Sequence, residues 1–164
     1  MADVHDITTR SRNMAAIRGA DTKPEYIIRR GLHSRGFRYR LHDRKLPGRP
    51  DLVLPKFQAV IFVNGCFWHA HDCPLFQWPK TREDFWKAKI RGNAERDRKN
   101  AKSLIASGWR VATIWECALK GARKIPQIQV IDLLVEWITS DKATLAIEGV
   151  EPINIDSTEE VVCQ

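Results

Sequence analysis

The chain has 164 residues, of which 43% are hydrophobic, so it can form one domain with its own core, and wholesale disorder is excluded. Its 27 lysines and arginines against 20 aspartates and glutamates give a net charge of +7, and every basic residue lies at or before Lys142. This distribution predicts a basic body that either binds a polyanion, most simply nucleic acid, or only presents a solvated basic surface. No apolar run approaches the ~20 residues of a membrane span, and residues 1–13 lack the hydrophobic stretch of a secretory signal. We therefore expect no membrane partner and a cytoplasmic location.

The N-terminal part of the chain divides into an arm and a helix. Residues 1–21 are polar, contain three arginines and have few apolar anchors, which predicts a mobile basic arm. Residues 14–17 could form a short helix in this arm when it is bound. Thr22 and Glu25 form a capping box that begins the first firm helix, and Gly36 ends it.

Three strands and a loop are predicted next. Apolar and polar residues alternate over residues 37–41, as in a half-buried strand. A turn rich in proline and glycine covers residues 46–50, and two further strands cover residues 51–54 and 59–63. Residues 66–80 contain cysteine, histidine, aromatic residues and two prolines, which predicts an irregular loop.

The second half of the chain predicts helices around one more strand. Residues 81–107 form a long charged helix, and residues 109–115 form a strand. An amphipathic helix follows Pro126, and residues 142–164 form an acidic, loosely held tail. This order predicts an α/β fold, with a small mixed sheet flanked by helices.

The cysteines and histidines of the irregular loop predict a metal site. Cys66 and Cys73 bracket His71, and Cys117 follows the last predicted strand, so it can reach the same point. Such a Cys₃His set suits tetrahedral zinc, and four protein ligands make the site structural. His69 could replace His71, because spacing does not separate the two. The alternative is a set of buried reduced cysteines.

A carboxylate at the start of the second predicted strand suggests phosphodiester chemistry. Asp51 either caps the preceding turn or holds Mg²⁺, an ion that prefers oxygen ligands and activates water. The acid-x-lysine pattern of a nuclease core is absent, and Phe62-x-Asn64 stands nearest to its place. A backbone carbonyl must then supply the missing oxygen, or the site is inactive. His69 and Glu25 are candidates for proton transfer, although a role in the zinc loop would account for His69 and the capping box would account for Glu25.

Aromatic residues beside basic ones suggest how DNA is opened. Phe67 and Trp68 lie in a polar loop with little core to enter, and Phe85 and Trp86 lie near the start of the long helix. A ring held out by a metal site can wedge between base pairs at a cost of a few kcal/mol per step, less at a mismatch. The basic side chains of the long helix either contact phosphates or form charge pairs on a solvated face.

Several motifs are long and specific: Leu46-Pro-Gly-Arg-Pro-Asp51, Val60-Ile-Phe62, Gly65-Cys-Phe-Trp-His69, Cys73, Thr81-Arg82, Phe85-Trp86, Asn93, Glu95-Arg-Asp-Arg98, Gly108-Trp-Arg-Val111 and Trp115-Glu-Cys-Ala-Leu119. Together with the opening Met1-Ala-Asp-Val-His-Asp6 they closely resemble the very-short-patch-repair (Vsr) mismatch endonucleases. The resemblance runs from the start of the chain to about residue 140.

The resemblance implies a restriction-endonuclease-like core with a structural zinc, and an endonuclease domain over residues 22–141. It implies a bacterial enzyme that nicks one DNA strand 5′ of the thymine in a T·G mismatch, where 5-methylcytosine has been deaminated. It also implies a monomer with repair-protein partners of the MutL type.

The resemblance also implies roles for the catalytic residues. Asp51 and the main-chain carbonyl of Val63 would bind catalytic Mg²⁺, His69 would assist proton transfer and Glu25 would support the site. Where family members often carry histidine this chain has Asn64, an amide that does not titrate. This departure supports an alternative function, a zinc-stabilised protein that binds mismatched DNA without nuclease activity.

Further roles concern zinc and DNA. Four residues would hold zinc: Cys66, His71, Cys73 and Cys117. Three rings would wedge into DNA beside the mismatch: Phe67, Trp68 and Trp86. Met14 would approach from the minor groove, and Asn93 and Arg96 of the long helix would contact DNA.

Overall fold

The computed structural model describes residues 6–17 and 19–151, and Cys163 lies outside them. It contains four α-helices and five strands in this described part. In chain order they are α1 (Ile7–Ala16), α2 (Lys23–Ser34), β1 (Arg40–Leu41), β2 (Leu52–Leu54), β3 (Ala59–Asn64), α3 (Glu83–Ala106), β4 (Arg110–Trp115), α4 (Gln127–Ile138) and β5 (Thr144–Ile147). None of these helices has the length and apolar character needed to span a bilayer.

The five strands form one mixed sheet in the order β1-β2-β3-β4-β5. The first three strands pair antiparallel through short connections. The last three pair parallel, with α3 crossing over from β3 to β4 and α4 crossing over from β4 to β5. The predicted mixed sheet flanked by helices is therefore confirmed.

Both faces of the sheet are covered. Helices α2 and α4 pack on one face, where Ile28 and Leu134 join Ile61 in the larger core. On the other face, Leu104 of α3 packs with Val60 of β3 in a smaller cluster. Side chains alternate between the two faces of a strand, so adjacent residues of β3 enter different cores.

The N-terminal arm contains more helix than its sequence predicts. A helix of residues 14–17 was expected, but α1 already begins at Ile7, and Ile17 follows it as the cap residue. The reason is Asp6, whose carboxylate accepts a hydrogen bond from the backbone N–H of Thr9 at 2.6 Å and so caps the helix.

The acidic tail begins later than expected. A loosely held tail from residue 142 was predicted, but β5 pairs with β4 from Val111↔Thr144 to Ile114↔Ile147. Only Ile147 of this edge strand is fully buried, so its four residues carry a weak apolar signal. The prediction of an acidic tail was wrong for residues 144–147, and residues 152–164 lie outside the described part.

Other predicted boundaries shift by a few residues. The strand predicted over residues 37–41 is reduced to β1, and α3 begins at Glu83 rather than residue 81. Arg82 caps α3 with a left-handed backbone, a conformation that sequence patterns do not reveal for arginine.

Candidate active site and metal centre

A cleft of about 840 Å³ opens where the α1–α2 connection, the start of β2 and the end of β3 meet. All four predicted catalytic residues line it: Glu25, Asp51, Asn64 and His69. Gly19 and Ala20, at the end of the predicted arm, line it as well. The arm therefore contributes one wall of the candidate active site.

Asp51 lies at the centre of this site. Its Oδ2 accepts a hydrogen bond from the backbone N–H of Val63 at 2.7 Å. Burial raises the pKa of Asp51 to about 6, the Val63 N–H opposes this rise, and the nearby Glu25 carboxylate adds to it. A bound cation would offset the cost of keeping this carboxylate charged.

Val63 also presents its carbonyl toward Asp51. In a strand, the N–H and C=O of one residue face the same neighbouring strand. Since the Val63 N–H donates to Asp51, the Val63 carbonyl faces the same side of β3. A carboxylate oxygen and a carbonyl oxygen are ligands that Mg²⁺ accepts.

Glu25 is held in a buried charge network. The side chain is only 3% exposed, and its Oε2 accepts from Arg29 Nη2 at 2.8 Å and from the Asp21 N–H at 3.0 Å. Its Oε1 accepts from the backbone N–H of Thr22 at 3.4 Å, as the capping box predicts. With both oxygens engaged, Glu25 is better suited to shaping the wall of the cleft than to exchanging protons.

His42 is a site residue that the sequence analysis missed. Its Nε2 lies 2.9 Å from Arg29 Nη2. A guanidinium only donates, so Nε2 accepts and Nδ1 carries the proton. Nδ1 then faces Oδ1 of Asp51 at 3.7 Å. The feature that could have identified His42 is the pairing of β1 with β2, because the Leu41↔Leu52 register brings residue 42 beside residue 51.

His69 is paired with a carboxylate from the long helix. Its Nδ1 bonds Oδ2 of Asp97, which lies in α3 and was not predicted as a site residue. The bond places a proton on Nδ1 and leaves Nε2 as the nitrogen that can exchange a proton in the cleft. The His69 side chain is 25% exposed and lines the cleft.

A second cluster joins the loop after β3 to the residues that follow β4. One ligand atom from each of Cys66, His71, Cys73 and Cys117 lies within 4.8 Å of the others. The structure thus brings His71, rather than His69, to the cysteines. Cys117 Sγ is 3.6 Å from His71 Nδ1, and tetrahedral zinc with ordinary bond lengths holds sulfur and nitrogen about 3.6 Å apart. Burial raises the thiol pKa of Cys66 and Cys117, and a metal ion would favour their thiolates.

The predicted wedge residues form one aromatic group between the loop and α3. The ring centroids of Phe67 and Trp68 are 5.1 Å apart, and Trp86 lies 5.7 Å from Phe67. Lys89 Nζ lies 5.4 Å from the Trp68 ring. The Asn93 Nδ2 donates to the Trp68 carbonyl at 3.0 Å and ties this loop to α3.

The other two predicted DNA contacts lie on helices α1 and α3. Met14 is half-buried on α1, and Arg96 is exposed on α3.

A largely buried carboxylate, a histidine–carboxylate pair and a basic helix around one cleft are typical of hydrolases that cut nucleic acids. Comparison with known proteins agrees with this class. A family model described as DNA mismatch endonuclease Vsr matches residues 2–75. The DNA mismatch endonuclease Vsr of Escherichia coli (strain K12) is 47% identical over 148 residues, which cover 90% of this chain and 95% of that protein. The chain therefore belongs to the Vsr family of DNA mismatch endonucleases.

Two nicking enzymes are also similar. The type II nicking enzyme V.XorIIP of Xanthomonas oryzae pv. oryzae is 49% identical over 65% of this chain and 78% of its own length. The type II nicking enzyme V.NmeAIP of Neisseria meningitidis is 44% identical over 73% of this chain and 86% of its own length.

Proposed function

We propose that the protein is a strand-specific DNA endonuclease of very short patch repair. It nicks 5′ of the thymine in a T·G mismatch that arises when 5-methylcytosine is deaminated. Family membership supports this function, as do relatives named mismatch endonuclease and nicking enzymes. The observation that carries it is the largely buried Asp51 carboxylate, held by the Val63 N–H in a cleft that His69 also lines.

Asp51 and the Val63 carbonyl would hold catalytic Mg²⁺. Their oxygen atoms suit this ion, and the carbonyl provides an oxygen where the chain lacks a second carboxylate. When bound, the ion activates water and offsets charge on the scissile phosphate.

The remaining cleft residues transfer protons or position the reacting groups. His69 Nε2 exchanges a proton with the reacting water or leaving oxygen, while Asp97 keeps the other ring nitrogen protonated. Glu25, held by its ion pair with Arg29, forms part of the cleft wall near Asp51. The Asn64 amide cannot exchange a proton, but it can donate and accept hydrogen bonds. Its role would be to orient water or phosphate.

A structural zinc ion would occupy the second cluster. The donor set of Cys66, His71, Cys73 and Cys117 and its spacing fit tetrahedral zinc. With four protein ligands, the site would hold the loop in place and take no part in bond breaking.

Aromatic rings would open the duplex beside the mismatch. Phe67, Trp68 and Trp86 form a single half-buried group, so they can enter a base step together. Met14 would approach from the minor groove, and Arg96 would contact a phosphate. Asn93 would fix the loop and can offer its second amide hydrogen to DNA.

The proposal extends to the fold and its setting. The core would be restriction-endonuclease-like, and the protein would act as a monomer in the bacterial cytoplasm. Repair proteins of the MutL type would be its protein partners.

The test uses duplexes that differ only in one pair, T·G, T·A or C·G, with Mg²⁺ or EDTA. We expect a nick 5′ of the thymine in the T·G duplex with Mg²⁺. Asp51→Ala should abolish nicking and retain binding, whereas Asp132→Ala, which removes an exposed carboxylate of α4, should nick as the parent does. Equal cutting of paired and mismatched DNA would contradict the proposal.

A second candidate function is mismatch binding without cleavage. The amide of Asn64 in the cleft favours it, because a titrating side chain is absent at that position. Tight binding to T·G with no nick at any Mg²⁺ concentration would select this candidate.

A further inference from the structure

The segment that follows β5 lies on the Cys/His cluster. Oε2 of Glu148 accepts a hydrogen bond from His71 Nε2 at 2.7 Å. The backbone N–H of Gly149 donates to Cys117 Sγ at 3.2 Å. Two of the four candidate metal ligands therefore have a partner in residues 148–151, which we call the terminal clasp.

The clasp is held by contacts of its own. Pairing of β5 with β4 brings it to the cluster, the Val150 N–H donates to the Arg123 carbonyl at 2.9 Å, and Glu151 pairs with Arg123 Nη2 at 2.5 Å. A Cβ at Gly149 would lie 2.5 Å from the Cys117 carbonyl oxygen. Only glycine fits there without moving the chain.

We propose that the terminal clasp is an outer shell that holds the metal ligands in their binding state. The Glu148 carboxylate fixes the proton of His71 on Nε2, so the Nδ1 lone pair on the side of Cys117 Sγ would be free to bind a metal ion. The Gly149 N–H donates to the Cys117 sulfur and stabilises its thiolate charge. This inference rests on the proposed zinc centre.

The clasp acts on the metal rather than on the fold. The Glu148 side chain is 62% exposed, and exposed ion pairs contribute little to folding stability. Hydrogen bonds to metal ligands have a larger effect, since losing one costs about 10–100-fold in metal affinity. A role in metal retention therefore separates Glu148 from an ordinary surface acid.

The experiment measures zinc transfer from the purified full-length protein to excess colorimetric chelator. We expect Glu148→Ala to release zinc about tenfold faster than the parent. Glu148→Gln should be intermediate, because its amide oxygen can still accept from His71. Gly149→Ala should also release zinc faster, while circular dichroism before chelation shows all variants folded.

The matched control is Glu136→Ala, which removes an acid of α4 away from the cluster and should release zinc at the parental rate. Both Glu148→Ala and Gly149→Ala could bind one zinc per chain and release it at the parental rate. That result would overturn the role of the clasp and leave the metal centre intact. A folded parent without zinc would overturn the metal centre itself, and the inference with it.

Discussion

Asp51 shows how strongly the surroundings determine the chemistry of one side chain. Its side chain is 15% exposed, and burial raises its pKa to about 6 from an ordinary value near 3.8. This difference corresponds to at most about 3 kcal/mol. The folded chain binds the proton more tightly than the unfolded chain does. Protonation of Asp51 therefore contributes fully to the free energy of unfolding below the ordinary pKa of the carboxyl. This contribution is lost as the pH rises through about 6.

We therefore expect Asp51→Asn to increase the free energy of unfolding in EDTA near pH 8, by up to about 3 kcal/mol, and to have little effect near pH 3. The amide keeps an oxygen for the Val63 N–H and never becomes charged. Urea unfolding at several pH values measures the difference. A difference that does not change with pH would contradict the role of burial.

His42 should hold Asp51 in position for Mg²⁺ binding. His42→Ala removes the imidazole between Arg29 and Asp51, and we expect the Mg²⁺ concentration for half-maximal nicking to rise about tenfold. His42→Gln keeps a donor and an acceptor and should restore most of the parental value. Duplex binding in EDTA should be equal in all three proteins. If binding falls as much as nicking does, His42 has a general structural role instead.

The residues of the site differ in how far the sequence predicts them. Asp51 and the cysteines are predictable because each combines a reactive type with a telling position, after a turn or in metal-ligand spacing. His42 and Asp97 gain their meaning from strand register and helix packing, which bring distant parts of the chain together. Spacing also leaves His69 and His71 interchangeable, whereas the structure separates them by their partners.

At the scale of elements, the aromatic loop depends on α3 for its position. Asn93→Ala removes the donor to the Trp68 carbonyl, and we expect a loss of about 1 kcal/mol in stability. The ratio of binding to T·G over T·A duplexes should fall, because the rings lose their fixed approach. Fluorescence anisotropy with both duplexes measures this ratio. Lys99→Gln, exposed on the same helix, should weaken both duplexes equally and leave the ratio unchanged.

Elements with strong end signals are the predictable ones. Helix α2 has a capping box and an apolar face, and it begins at Lys23, next to the predicted cap. The α1 helix depends on a single capping residue, Asp6, in an otherwise polar segment. The β5 strand is four residues long at a sheet edge, so its formation depends on the pairing surface of β4 rather than on its own pattern.

At the scale of the molecule, the positive net charge favours binding to DNA. Residues 1–147 contain 27 basic and 15 acidic residues, a net charge of +12. Binding to DNA in EDTA should therefore weaken steeply with salt, by roughly 100-fold between 50 and 200 mM if about four phosphates are contacted. We expect Arg96→Ala to lower the slope of log affinity against log salt by about 1. The control is Arg35→Ala, because Arg35 pairs with Asp132 on the opposite face of the sheet. Equal slopes for all three proteins would exclude Arg96 from the interface.

The end of β3 joins the two centres of the molecule. Asn64 is the last residue of the strand, and only Gly65 separates it from Cys66. A zinc ion bound by Cys66 would therefore anchor the end of β3 that lines the cleft. A mercurial that binds the cysteine thiols should displace the proposed zinc ion and loosen this end of β3. We expect nicking to be lost even at saturating Mg²⁺, although no thiol takes part in the reaction.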